Sequence, residues 1–127
     1  MVALSKIAKT HRVSEASLDL STADTATVDL SAYTGYNTLT IQIENNGSLT
    51  GTGTLALTGG IGGTDTTVPS GLFVTGAASF ANISAASYNA IVVLKAGALT
   101  SLKLVYTEST ASTGLLKIRI LMSDVIV

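Results

Sequence analysis

The sequence predicts an all-β fold: a single antiparallel β-sandwich, jelly-roll-like, of about eight short strands. Three observations point there. Apolar residues recur at every second position in one segment after another, the spacing of a half-buried strand. Turn-forming residues interrupt the chain every ~8 to 12 residues, the rhythm of sandwiches and barrels. No segment holds a helical period over the ~10 residues a stable helix needs. An immunoglobulin-like sandwich is the second choice, but it ordinarily buries a Trp against a disulfide, and this chain has neither Trp nor Cys.

The elements follow in order. In "SLDLS", Leu18 and Leu20 share one face and Asp19 takes the other. In "ATVDLSAY", Ala26, Val28 and Leu30 oppose Thr27 and Asp29. In "TLTIQIE", Leu39, Ile41 and Ile43 oppose Thr40, Gln42 and Glu44. Asn46-Gly47 then signals a hairpin, because both residues tolerate positive φ. Its expected partner, "TGTLALTG", turns Leu55 and Leu57 inward. "GGIGGTDTTVPSG" reads as a loop carrying the only proline, Pro69. "LFVTG" is a short strand, and "AASFANISAASY" is a loop. The unbroken apolar run Ile91 to Leu94 suits a central strand covered on both faces. In "LKLVYTESTASTGLLKIRI", Leu102, Leu104 and Tyr106 form one apolar face and Leu116, Ile118 and Ile120 another. The seven residues "ESTASTG" between them read as a loop, with Gly114 supplying positive φ at the return.

The length, 127 residues, fits one domain. Residues 1–14 stand apart as a basic arm, and 15–127 form the sandwich. Lys6, Lys9 and Arg12 place three of the seven cations in that arm, with no acid before Glu15. Such an arm is suited to an acidic partner surface. Net charge is −1, so the basic excess of a nucleic-acid binder is missing. Mean hydropathy is +0.51, yet no apolar run reaches the ~18 residues of a membrane helix, and neither a membrane nor a secretory signal is expected. The absence of cysteine excludes disulfides and thiolate metal sites. Charged residues are only 12%, so the surface suits a subunit covered by copies of itself or by a larger assembly.

Reactive groups are sparse. His11, the one histidine, lies in the arm, away from a rigid scaffold with an orienting carboxylate. Asp19, Asp24, Asp29, Glu44, Asp65, Glu108 and Asp124 are the candidate acids for glycoside hydrolysis, but nothing in the sequence pairs them. The five-residue spacing of Asp19, Asp24 and Asp29 lacks the ligand density of a calcium loop. "GTGTLA" fits a dinucleotide fingerprint formally, but β-patterned residues follow where a helix is required. "NGS" and "NIS" are glycosylation sequons. Tyr33 and Tyr36 flank a turn and form the one small aromatic platform for a sugar. No enzyme, cofactor or metal site is expected.

The stretch "SYNAIVVLKAGALTSLKLVYTESTASTGLLKIRI", residues 87–120, resembles sheet hairpins in small virion proteins of tailed bacteriophages, among them capsid decoration and minor capsid proteins. The Ala/Thr/Ser/Gly-rich, cysteine-free composition is similar too. The resemblance implies a compact β-sandwich with a structural role in the virion. It implies a homo-oligomer, a trimer first, seated on the major capsid protein and cementing the coat lattice. The arm residues Lys6, Lys9 and Arg12 would then anchor it. A tail, baseplate or head-fibre component is the neighbouring expectation, and a carbohydrate-binding module using Tyr33 and Tyr36 is the rival class.

Overall fold

The computed structural model describes residues 11–19, 25–45, 50–80, 83 and 88–124. Among these residues ten strands run in order: β1 (His11–Asp19), β2 (Thr25–Asp29), β3 (Thr38–Asn45), β4 (Thr50–Gly60), β5 (Thr66–Thr67), β6 (Phe73–Thr75), β7 (Ser79–Phe80), β8 (Asn89–Leu94), β9 (Ser101–Thr113) and β10 (Leu115–Ser123). Single 3-10 turns at Ser31–Tyr33, Ser70–Leu72 and Ala96–Ala98 are the only helical pieces among the described residues. The first sheet has the order β1-β10-β3-β8-β6; the second has β2-β9-β4-β5, with β7 also on β4. All the pairings are antiparallel.

Except for β4 to β5, each connection carries the chain from one sheet to the other. Taking the short β5 and β7 as one position beside β4, and β6 as an added edge, leaves β1-β10-β3-β8 facing β2-β9-β4-β5. That is the strand order of a jelly roll, two interlocked Greek keys.

Much of the core comes from inward positions read from the sequence, and Val68, Phe80 and Ile83 join it from segments read as loops. Ile43 lies opposite Ile118, Ile41 opposite Ile120, and Leu39 opposite Met122. In the second sheet Leu104 lies opposite Leu57, and Tyr106 opposite Leu55. All of these are buried. Removing each such side chain from water stabilises the fold by roughly 1.5–3 kcal/mol.

Several expectations need correction. Among the described residues the strands number ten, the additions being the two-residue pieces β5 and β7. The hairpin expected at Asn46-Gly47 does not form: β3 and β4 belong to different sheets, and the turn itself lies outside the described residues. "ESTASTG" is not a loop. β9 runs to Thr113, paired with β4 at Thr50–Thr113 and Thr52–Thr110. Gly114 has φ +105°, as expected of a return, but it hands the chain to the opposite sheet. Ile91 is 53% exposed, so β8 is covered on one face only. Residues 11–14 of the expected arm belong to β1, where His11 lies opposite Ser123 and Arg12 opposite Met122. The rest of the arm, with Lys6 and Lys9, lies outside the described residues.

Glycine is required where β4 and β9 approach closely within the second sheet. A Cβ on Gly53 would overlap the Tyr106 hydroxyl and the Thr107 carbonyl oxygen. The carbonyl belongs to backbone and cannot swing aside. Gly53→Ala is therefore expected to cost ~1–3 kcal/mol in denaturant unfolding, the usual scale of overpacking. Gly71→Ala, where nothing lies within 4 Å of the added carbon, should leave the midpoint unchanged.

Candidate functional site

The start of β1, where the expected arm joins the sheet, lies at the same end of the sandwich as the tyrosine pair. The β2–β3, β4–β5 and β8–β9 connections all lie there, with the start of β1 and the end of β10. Backbone bonds tie them together. Leu30 N–H donates to Leu102 O (2.7 Å), and Thr100 N–H to Gly60 O (2.8 Å). The Asn37 side-chain amide donates to Asp124 O (2.9 Å).

Tyr33 sits on the Ser31–Tyr33 turn, which forms because β2 ends in a residue able to hold the next N–H. The Ser31 N–H donates to Asp29 Oδ1 (2.9 Å). The Ser31 hydroxyl also accepts from Leu102 N–H (3.0 Å), so it fixes the turn to β9. The Ser31 hydroxyl and N–H hold the Asp29 carboxyl below its ordinary value of 3.8, with the Lys103 charge adding to them. Tyr33 and Tyr36 are both half-buried against the core, so their rings are only partly available as a platform. The Tyr33 hydroxyl lies 2.9 Å from Ser14 Oγ on β1. The structure therefore joins two features that the sequence kept apart, tying the root of the basic arm to the tyrosine turn.

Glu44 and Asp65, two of the candidate carboxylates, are held in ion pairs. Glu44 and Glu15 share Arg119 on the outer face of the first sheet, at 2.8 and 3.5 Å. Exposed pairs of this kind contribute about 0.2–1 kcal/mol each. Asp65 accepts from Ser101 Oγ (2.5 Å) and lies 3.6 Å from Lys103 Nζ. Asp24 lies outside the described residues, and so do the sequon asparagines Asn46 and Asn82. "GTGTLA" lies wholly within β4, so no helix presents its N–H groups there. Among the described residues no group of three or more His, Cys, Asp or Glu is placed to hold a metal ion.

Two surface features went unrecognised in the sequence. At the far end, residues 50–53 of β4 and 108–113 of β9 pair with each other beyond the reach of β2, β5 and β7. Hydroxyls hold this ribbon: Thr50 to Thr113 (2.6 Å), and Thr52 to both Ser109 and Thr110 (2.9 Å each). The alternation in "TGTGT" was its signal. The second is Ile61, which is 78% exposed at the tip of the β4–β5 loop. Glycines on either side of it gave the only hint.

Comparison with known protein families, with curated proteins and with solved structures returns no match.

Two measurements check this geometry. Tyr33→Phe removes the bond to Ser14 and should cost about 0.5–1.5 kcal/mol in denaturant unfolding. In a carboxyl NMR titration, Asp29 should lose its proton below 3.8 in the folded chain. Because the folded value is depressed, the Asp29 contribution to stability is full above the unfolded carboxylate range. It should disappear as pH falls through the folded value, and Asp29→Asn should flatten that acid limb.

Proposed function

We propose that this chain is a structural virion protein, a decoration or cement subunit that binds and stabilises the coat lattice of a tailed bacteriophage. It acts without catalysis, as a homo-oligomer seated on the major capsid protein. The observation that carries the reading is the outer surface of the second sheet. There Thr54, Ala56, Thr58, Val105 and Thr107 alternate with the buried set, opposite one another in registered rows. One row of this face is charged, Lys103 standing between Thr58 and Asp29 and pairing with Asp65, while the rows Thr54–Thr107 and Ala56–Val105 carry no charge. Solubility alone would favour many more charges on such a surface. Contact with neighbouring subunits gives it a use, because affinity then comes from modest contacts summed over area and copy number.

The basic arm extends this reading. Lys6, Lys9 and Arg12 precede or open β1, which begins at the end of the sandwich that also carries Tyr33 and Tyr36. An acidic coat surface beneath that end would draw the arm down. A tail, baseplate or head-fibre component would use the same surfaces in another place. A carbohydrate-binding module draws less support, since Tyr33 and Tyr36 are half-buried and the Tyr33 hydroxyl is engaged by Ser14.

Quantitative mass spectrometry of particles purified from the source tests the proposal. A fixed, high ratio of this chain to the major coat protein is the expected result; absence from the particles rejects it. Deleting residues 1–10 leaves β1 whole and should lower occupancy on the particle without moving the melting temperature. Unchanged occupancy would reject the anchoring role of the arm.

A further inference from the structure

We propose that β1 is an exchangeable strand: in the assembled protein, the β1 that lies against β10 comes from a second copy of this chain. The proposal rests on the homo-oligomer of the virion reading above and specifies how its copies are joined.

β1 is held mostly through its backbone. It pairs with β10 at nine successive positions, from His11 opposite Ser123 to Asp19 opposite Leu115. Among the described residues β10 is its only sheet neighbour. The described side chains of β1 are those of Ser14, Glu15, Ala16 and Ser17, and none of them is buried. Its sequence, HRVSEASLD, has two aliphatic residues larger than alanine, Val13 and Leu18. β10, by contrast, buries Leu116, Ile118, Ile120 and Met122. β2, the edge strand of the second sheet, is pinned at its end by the buried Leu30, whose N–H donates to Leu102 O (2.7 Å). The side-chain ties of β1 are polar: Ser14 Oγ to the Tyr33 hydroxyl (2.9 Å), and Glu15 to Arg119 (3.5 Å). A strand with so little buried apolar surface opens at the low end of the free-energy scale.

The place it leaves is specific. Without β1, β10 presents a row of unpaired N–H and C=O groups, a template for another strand. The strand that fits carries an acid opposite Arg119, a small side chain opposite Ile118 and a hydroxyl within reach of Tyr33. Glu15, Ala16 and Ser14 supply these in β1. Arg119 stays in position to receive the acid, because Glu44 on β3 holds its other side at 2.8 Å. A slip of one residue would turn Glu15 toward the core, so the register is fixed whichever copy supplies the strand. Each contact made within one chain is remade between two, so exchange sacrifices no contact and links the copies. An oligomer holds those copies at high local concentration, which favours the exchanged form. An unrelated strand would have to reproduce the same three side chains in the same order, and that singles out a second copy as the partner.

The test uses the full chain, whose lack of cysteine makes any disulfide unambiguous. Ser17 and Lys117 lie opposite each other and both are exposed. Opposed antiparallel positions, with Cα atoms about 4.5–5.5 Å apart, admit a disulfide. Ser17→Cys and Lys117→Cys are made in separate chains, unfolded, refolded together and oxidised. A covalent two-chain product on non-reducing denaturing electrophoresis is expected from the mixture and from neither variant alone. The double variant Ser17→Cys/Lys117→Cys should form covalent oligomers. If the double variant instead closes an internal disulfide and the mixture gives no two-chain product, exchange is overturned. Native mass spectrometry then separates the two readings: an oligomer leaves the homo-oligomer standing, and a monomer removes it as well. A two-chain product from either variant alone would make the cross-link a chance encounter and overturn the assignment. No disulfide in any of these chains would overturn the β1–β10 register, and the exchange with it.

Discussion

Everything in this molecule depends on one constraint: side chains in a strand alternate, so a sheet sealed on one face leaves its other face free to vary. The inner faces of the two sheets are filled by Leu, Ile, Val and Met in registered rows, with Tyr106 the largest side chain. A slip of one residue in β3 would place Leu39, Ile41 and Ile43 in water and Gln42 and Glu44 in the core. That penalty fixes the register of β3, and β3 in turn sets β10 and β8 on either side of it. The outer faces are under no comparable demand. One holds a small charge network around Arg119, and the other carries threonine and alanine with Lys103, Asp29 and Asp65 toward one end.

The part of the fold legible in the sequence was the part governed by that alternation. Leu39, Ile41 and Ile43, then Leu102, Leu104 and Tyr106, then Leu116, Ile118 and Ile120, are all inward and buried, as their spacing required. Connectivity was less legible. Gly114 marks a change of direction, but positive φ serves a return within a sheet and a crossing between sheets equally well. Only the strand order separates the two, and it depends on contacts distant in sequence. The extension of β9 through Thr113 was hidden for a related reason. Ser and Thr compete for backbone bonds as turn residues do, yet here their hydroxyls bind each other across the ribbon. Ile91 was misplaced because a run of four apolar residues says nothing about whether a second layer exists to cover the outer face.

The candidate site was legible as residues and illegible as a site. Lys6, Lys9 and Arg12 stood out as a charge cluster, and Tyr33 and Tyr36 as a pair. That Ser14 and Tyr33 bring arm and turn together follows from β1 lying at the edge where the β2–β3 connection folds over it. The β4–β5 loop joined the same end because Thr100, Ser101 and Lys103 clamp it to the start of β9. No local pattern announces such a meeting. It arises from which sheet each connection leaves and enters.

The pairing of β1 with β10 also sets the order of events during synthesis. His11 lies opposite Ser123 and Asp19 opposite Leu115, and β10 is the only sheet neighbour of β1 among the described residues. β1 must therefore wait until β10 has been made. At ribosomal rates of roughly 5–20 residues per second, that wait lasts several seconds. Through it the apolar edge of β10's other partner, β3, has no finished sheet to join. The jelly roll closes as a late, long-range event, and a nascent chain of this kind is exposed to its neighbours for longer than one built from local hairpins.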